Sequence, residues 1–586
     1  MKLFDIEANG LLHMVTKVHC IVMMDTKTGR RDQFAGETLE DGVRALMEAT
    51  MAGELIAGHN IIKYDIPVLK RLYDWFNVLD ASLVDSLVLA RVMWSDIGAQ
   101  DDVLISRNTP SNTRFPKALR GRHSLQAWGW RLGNRKGDFG ADDEERRWDV
   151  FVPEMLDYCT QDVDVAHTLM RFLTRQPYPR GAIALEHAVA HTCAQMERAG
   201  WPFDETTAAT LTSKLVAERT AISEQLQVAF PPLTVEKAGK ATIQDFNPGS
   251  RKQIADRLTA KYRWVPTEKT TKGAVKIDDD ILAALHFPEA KILSRYFTVD
   301  KRLGQLAEGN QAWLKLVRDG HLHGSINTNG AVTGRCTHAR PNIAQVPSSN
   351  TAYGPECRAL FTVRPGFSAV GADLSGIELR CLAHYMAPWD HCKYVETILY
   401  GDVHTENQHT AGLPTRDAAK TFIYAFLYGA GDERLGQVIG ADRAAGARLR
   451  QTFLSRTPAL RFLKASIALE AQRGVLTGLD GRHLPVRSAH AALNTKLQSA
   501  GALISKRWLV ECVLEAERRG LRHGWDGDFV LLGYIHDELQ WATRTDIADD
   551  FGRMVVVCAE RAGTFFLFKC PIAAEFKVGA NWHDTH

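Results

Sequence analysis

Residues 1–175 alternate between short apolar runs and amphipathic stretches. LFDIEA and HCIVMMD have the length and composition of strands. TLEDGVRALMEATMA and EMLDYCTQDVDVAHTLMRFLTR carry apolar residues at helical spacing, with Thr38 placed as an N-cap of the first. The pattern breaks at RQPYPRGA, residues 175–182, where two prolines interrupt it. From 183 to 229 the spacing predicts two long helices, ALEHAVAHTCAQMERAG and TTAATLTSKLVAERTAISEQLQVAF. Residues 231–250, PPLTVEKAGKATIQDFNPGS, read as a connector. Helical pattern returns to about residue 318, and strands, turns and helices mix from there on. No internal repeat or low-complexity tract interrupts this succession.

One run departs from the rule that apolar stretches stay apolar. FVLLGYIHDELQWA, residues 529–542, suits a buried strand but holds His536-Asp537-Glu538 in its middle. Buried carboxylates cost several kcal/mol unless paired or metal-bound. An acidic hairpin turn and a metal-binding turn both account for this segment taken alone.

Bulk properties narrow the class. A chain of 586 residues exceeds one core, so several domains are expected. No apolar run reaches about 18 residues, so no membrane span is expected. The opening MKLFDIEANG reads as strand and turn rather than as a signal peptide. Ten scattered cysteines without a CxxC pair predict reduced thiols in a cytoplasm and no zinc site. The net charge of +2 hides a segment, 103–137, that has Arg and Lys but no Asp or Glu. Such a segment is a solvated surface or a contact for phosphates.

Two sets of residues carry chemistry. In the first, Asp5 and Glu7 alternate on a strand and share a face, where they repel unless a cation lies between them. Asp65 follows in HNIIKYD, and Tyr158 and Asp162, four apart on a helix, share another face. Four acids and a tyrosine suit two divalent ions about 3.5–4 Å apart. The order DxE, D, YxxxD resembles the proofreading 3′→5′ exonucleases of the DEDDy type. That resemblance implies that Asp5, Glu7, Asp65 and Asp162 hold metal while Tyr158 orients the attacking water.

In the second set, Arg416, Lys420, Tyr424 and Tyr428 recur every four residues of PTRDAAKTFIYAFLYGAG. Each step drifts only about 40°, so they wind slowly along one helix face. The cationic end coincides with the positive helix pole, and the aromatic end precedes Gly429. A nucleoside triphosphate has this polarity; so does an ordinary amphipathic helix. The neighbours favour the first. GADLSGIELR supplies Asp373, Glu378 and Arg380; VTGRCTHARPNIAQVP supplies Thr333-Gly334-Arg335; NTKLQSAGA supplies Asn494 and Gln498.

With His536-Asp537-Glu538, these segments resemble in order and spacing the motifs of family A DNA polymerases: TGR, DxSxxE, RxxxKxxxYxxxYG and HDE. DIEANGLL, HNIIKYD, HAALNTKLQSAGALI and LRHGWDGDF extend the likeness, over nearly the whole chain, to replicative polymerases of T7-like podoviruses. The resemblance implies a multidomain α/β and α+β architecture: a DEDDy (ribonuclease H-like) exonuclease domain plus a right-hand polymerase domain. The exonuclease would span 1–178, a helical thumb 179–315, the palm 316–386 and 494–586, and the fingers 387–493.

It further implies that Asp373 and Asp537 bind two Mg²⁺, with Mn²⁺ as a substitute ion and Glu538 as a secondary catalytic carboxylate. Arg416, Lys420 and His404 would grip the triphosphate, with Lys420 also a proton donor to pyrophosphate. Glu378, hydrogen-bonded to Tyr424, would exclude a 2′-OH. Tyr428 and Gly429 would guard the templating position, and Arg335 and Gln498, with Asn494 and His536, would contact DNA. Expected partners are primer-template DNA, dNTPs, a replicative helicase-primase and a single-stranded-DNA-binding protein, in the cytoplasm of an infected bacterium. The connector at 231–250 replaces the insertion that binds thioredoxin in the phage enzyme, so thioredoxin is not an expected partner. No 5′-nuclease domain is recognisable.

Overall fold

The first strand, Lys2–Ala8, lies at the centre of a five-stranded sheet. Antiparallel Val18–Asp25 and then Arg31–Ala35 flank it on one side; parallel Ile56–Gly58 and Leu83–Asp85 flank it on the other. This is a computed structural model, describing residues 1–106, 114–140, 148–237, 240–270 and 272–586, the side chains of 235–240 excepted. Period-two alternation splits the strand residues between two cores. Phe4, Ile6, Ile21 and Met23 pack with Val43 and Leu46 of the helix Leu39–Met51. Leu3, Cys20, Val22 and Met24 pack with Val163 and Leu169 of the helix Pro153–Thr174. Asp5 and Glu7 therefore face the long helix. Thr38 does stand at the N-cap, but its hydroxyl donates to Ala35 O at 3.0 Å and does not cap the helix.

The proline-containing break separates Pro153–Thr174 from a helix at Arg180–Ala199, and Glu205–Ala229 follows. The reading of 231–250 as a plain connector needs correction. Leu233–Lys237 pairs antiparallel with Lys240–Gln244 as a hairpin. Leu233 and Ile243 stay exposed at 51% and 80%, so no buried face imposes an alternation that sequence reasoning could detect. Helices Arg251–Tyr262 and Pro288–Leu303 complete a core around Trp201, Trp313, Phe361 and Trp582.

The C-terminal half is built on a four-stranded antiparallel sheet, ordered Phe529–Ile535, Glu538–Arg544, Phe367–Leu374, Ala574–Gly579. Helices Ala492–Arg518 and Ala548–Phe565 pack together beside it, joined where the Trp508 indole donates to Val555 O at 2.8 Å. The helix Arg416–Leu427 enters the same core through Phe422 and Phe426, whose rings lie 5.2 and 5.5 Å from that of Phe453. Among the described residues no helix is long and apolar enough to cross a membrane. All ten cysteines are free thiols.

A buried charge cluster joins the two halves. Glu186, fully buried on Arg180–Ala199, receives Arg482 at 2.7 Å and also Lys506 of the helix Ala492–Arg518. Arg482 is held by Asp480 as well and donates to Asn329 Oδ1 at 3.3 Å; Asn329 in turn donates to Arg91 O at 2.6 Å. Gly334 has φ +80°, and a Cβ there would meet Arg482 Nη1 at 2.9 Å, so the turn before Arg335 requires glycine. Removing one member of a buried ion cluster leaves the others uncompensated. Glu186→Ala is expected to destabilise the protein by about 3–5 kcal/mol, read as a lowered midpoint in urea unfolding. A midpoint equal to wild type would refute this.

Candidate active sites

The first candidate site lies over the N-terminal sheet. Asp162 falls in the buried stripe Met155, Cys159, Asp162, Val163, Ala166 of its helix, so the helix presents a carboxylate where packing calls for an apolar residue. Asp65 opens the helix Asp65–Leu72 and is buried too. The loop before it is shaped by Asp85, which accepts hydrogen bonds from Asn60 N at 2.9 Å and Ile62 N at 3.2 Å while capping its own helix. Ligand atoms of Asp5, Glu7 and Cys159 lie within 4.8 Å of one another. Cys159 Sγ sits 3.7 Å from Asp5 Oδ2.

The four acids also act on one another electrostatically. Burial pushes the Asp5 carboxyl well up, and Glu7, Asp65 and Asp162 push it further. Burial likewise raises Glu7, and it lifts Asp65 to about 7. Lys136 opposes the rise at all four acids. Its ammonium pairs with Asp162 Oδ2 and sits 4.5 Å from the centre of the Tyr158 ring. Asp162 Oδ1 is buried without a hydrogen-bond partner. The adjacent Asp5 and Glu7 carboxylates and the orphaned Asp162 oxygen fit hard divalent cations.

The second candidate site sits at the edge of the C-terminal sheet. Asp373 and Glu538 are directly paired across neighbouring strands, and His536-Asp537 form the tight turn between Ile535 and Glu538. His536 takes φ +59° in that turn, and Ser505 donates to its carbonyl at 2.7 Å. Leu374 N donates to Asp537 O at 3.1 Å, bringing the two aspartates side by side. Burial, then Asp537 and Glu538, raises Asp373 to about 7; burial, then Glu378, raises Asp537 to about 6. Among the described residues neither is ion-paired to a lysine or arginine. Two raised carboxylates side by side, one of them exposed, also fit divalent cations. Glu538 behaves differently. Burial pushes it up, but His586, Arg358 and Trp582 hold it below the ordinary glutamate value. Its oxygens accept from the Trp582 indole and Gln540 and face His586 at 3.3 Å.

The helix Arg416–Leu427 borders this cleft, capped by Thr415, which accepts from Ala418 N at 3.1 Å. Arg416 Nε donates at 2.7 Å to Asp402, which also caps the helix of His404. The His404 ring lies 6.2 Å from that of Tyr424, and its Nδ1 is buried without a partner. Lys420 is exposed one turn before Tyr424. Glu378 accepts from Tyr428 at 2.8 Å, which corrects the expected bond to Tyr424: Tyr428 caps the helix where its hydroxyl reaches Glu378. Arg335 lies 4.0 Å from the same carboxylate. Gly429 has φ +78° and its carbonyl faces His490 at 3.0 Å. Asn494 and Gln498 are half-buried, a turn apart on Ala492–Arg518.

Sequence reasoning missed Lys136, Asp402, Asp85, Trp582 and His586. Lys136 carried a signal at the end of the basic segment 103–137, and Trp582 one in the terminal Asn581-Trp582 pair. Residues 107–113 of that segment lie outside the described residues. In the rest, Arg120 pairs with Asp102 and Arg131 with buried Asp101, so these two arginines are occupied. Arg122, His123 and Lys136 instead line a cleft of about 1140 Å³ with Tyr158, reaching Ser325–Asn327 of the C-terminal half.

Comparison with known proteins adds to this geometry. The family model for DNA polymerase family A matches residues 217–584. The chain is 37% identical to the DNA-directed DNA polymerase of Enterobacteria phage T3, over 100% of both chains. It is 36% identical to the DNA-directed DNA polymerase of Escherichia phage T7, over 99% of both. The alignment with the T3 protein runs over 715 positions against 586 residues here, so that relative has segments without a counterpart in this chain. The POL domain of Pol1 from M. smegmatis, solved with primer-template DNA and dNTP, superposes with a TM-score of 0.74. It covers 99% of this chain and 96% of its own at 19% identity, a likeness of fold.

The raised aspartates generate a pH test. A carboxyl whose pKa rises on folding adds stability below its unfolded value, about 3.9. That stability is lost as pH climbs through the folded values of about 7 for Asp373 and about 6 for Asp537. Metal-free protein should therefore be relieved by Asp373→Asn more at pH 8 than at pH 5, seen as a higher thermal midpoint in EDTA. Equal midpoints for variant and wild type across this range would rule it out.

Proposed function

The chain belongs to DNA polymerase family A, and from that premise we propose that it is a DNA-directed DNA polymerase of the T7-like phage type with its own 3′→5′ exonuclease. In this reading residues 1–178 form the exonuclease, 179–315 the thumb, 316–386 and 494–586 the palm, and 387–493 the fingers. The observation that carries it is the juxtaposition of Asp373 and Asp537, both raised toward neutrality, with the cationic and aromatic helix Arg416–Leu427.

Asp373 and Asp537 would hold two Mg²⁺, and Asp5, Glu7, Asp65 and Asp162 two more. Such ions lower the pKa of an attacking hydroxyl and neutralise charge on phosphate oxygens. The chain's own groups do the rest. Lys420 and the N–H groups of Arg416 beyond Nε bind the triphosphate, aided by His404, whose unpartnered Nδ1 lies near both cations. Lys420 returns a proton to the departing pyrophosphate. Tyr424 and the hydrogen-bonded Glu378–Tyr428 pair would lie beneath the sugar and exclude a 2′-OH. Arg335 and Gln498 read the minor groove, where acceptor positions are common to all correct pairs. Glu538, engaged by Trp582 and His586, sets the position of the turn that bears Asp537. In the exonuclease, Tyr158 orients the water that attacks the terminal phosphodiester.

Only a short hairpin connects the helices Glu205–Ala229 and Arg251–Tyr262, which supports synthesis without thioredoxin. Dealings with a helicase-primase and a single-strand-binding protein in the host cytoplasm follow from a replicative role.

Primer extension on a long primed single strand, limited to one binding encounter by a DNA trap, tests the reading. Wild type should extend with Mg²⁺ and dNTPs. Asp537→Ala should lose extension by about 10³-fold or more yet still shorten the primer, while Asp5→Ala should do the reverse. Added thioredoxin should not lengthen the products. A wild type that only shortens primers would identify a dedicated exonuclease instead.

A further inference from the structure

Lys136 is held in place more firmly than a surface lysine needs. The segment 134–136 is stapled to the helix that bears Tyr158 and Asp162. Asn134 donates to Asp164 O at 3.2 Å and to Thr168 Oγ1 at 3.0 Å. Gln161 of that helix donates back to Asn134 Oδ1 at 3.1 Å and to Arg135 O at 2.8 Å. Gly137 lets the chain press against the Tyr158 ring, since a Cβ there would meet Tyr158 Cδ2 at 3.2 Å. The result aims a long, flexible side chain inward at the Asp162 carboxylate, while its flank lines the cleft beside Tyr158, Phe139 and Trp148.

Charge explains what such a lysine does. Four carboxylates and two divalent ions would sum to zero, and a nucleic-acid strand then adds the negative phosphodiester that must be cut. Attack by hydroxide adds further negative charge on the non-bridging oxygens. Lys136 is the cation that acts on every one of the four acids. It need not leave Asp162 to serve the substrate. An ammonium has three N–H donors. One reaches Asp162 Oδ2, and the partner-free Oδ1 of the same carboxylate remains for a cation.

We propose that Lys136 is a catalytic residue of the exonuclease, donating from its ammonium to a non-bridging oxygen of the scissile phosphate. This rests on the exonuclease reading of the N-terminal site. The lysine loses no proton. It stabilises the charge that builds as the water oxygen bonds to phosphorus and the P–O3′ bond to the preceding nucleotide breaks; the terminal residue leaves as a nucleoside 5′-monophosphate, and the proton that water loses is made up, through solvent, at the freed 3′-oxygen. The same contact holds single-stranded DNA in the cleft before reaction.

The test compares wild type, Lys136→Ala, Lys136→Arg and Asp65→Ala on a 5′-fluorescein-labelled oligothymidylate, each first checked for a wild-type thermal midpoint. Excision by Lys136→Ala should fall by about 10²-fold or more, with Lys136→Arg recovering part of the loss. In EDTA, fluorescence anisotropy should show the oligonucleotide bound about tenfold more weakly by Lys136→Ala. Mn²⁺ titrations followed by electron paramagnetic resonance should show Mn²⁺ bound as tightly by Lys136→Ala as by wild type, or more so, because a competing positive charge is gone. Excision within about threefold of wild type would overturn the proposal. So would slow excision with weakened Mn²⁺ binding, which marks a lysine that only props up the acids. A wild type that matches inactive Asp65→Ala and leaves the strand intact would remove the exonuclease reading itself.

Discussion

The mutual repulsion of carboxylates that cannot spread apart governs this molecule. Each half of the chain ends a sheet with acids packed against acids. In the first half, strand alternation turns Asp5 and Glu7 toward the buried stripe of Pro153–Thr174 that holds Cys159 and Asp162. In the second, cross-strand pairing and a two-residue turn put Asp373, Asp537 and Glu538 together. Such clusters are costly in a bare protein and become favourable when cations arrive. Much of the surrounding structure keeps the acids from relaxing. Asp85 fixes the loop before Asp65, and Trp582 and His586 take up Glu538 so that Asp537 faces the cleft.

The charge cluster at the joint obeys the opposite rule. Glu186 and Asp480 meet Arg482 and Lys506, two anions with two cations, and the sum is neutral. It needs nothing from outside. Buried ion clusters are weak sources of stability but specify one arrangement among several. Here the arrangement joins the helix Arg180–Ala199, the Asn329–Arg335 turn and the helix Ala492–Arg518. Asn329 extends it to Arg91, on the wall of the first cleft. The turn that carries Arg335 is thereby set relative to both candidate sites at once.

Much of each site was legible because its residues obey short periods. Asp5 and Glu7 follow the strand period of two. Tyr158 and Asp162, like Arg416 through Tyr428, follow the helical step of four. Residues that meet only in the tertiary fold left no such trace. Lys136 reaches Asp162 across 26 positions, and Glu538 meets Trp582 across 44. Glu378 was readable, but its partner was misassigned, because spacing cannot say which of two tyrosines one turn apart meets another helix. The hairpin at 233–244 escaped because its described apolar side chains, Leu233 and Ile243, are exposed, and such positions need not alternate.

Charge bookkeeping thus separates structural from functional acids more sharply than burial does. Glu186 and Asp162 are both buried, and each pairs with a lysine. Each also has one carboxylate oxygen without a hydrogen bond. Burial, pairing and orphaned atoms therefore do not distinguish them. Their surroundings do. Around Glu186 the opposite charges cancel, whereas around Asp162 three further carboxylates face a single lysine. Where the sum fails to close among the protein's own groups, protons or cations from the solution make up the difference. By this criterion the acids of the first site are as poorly compensated among the described residues as those of the second.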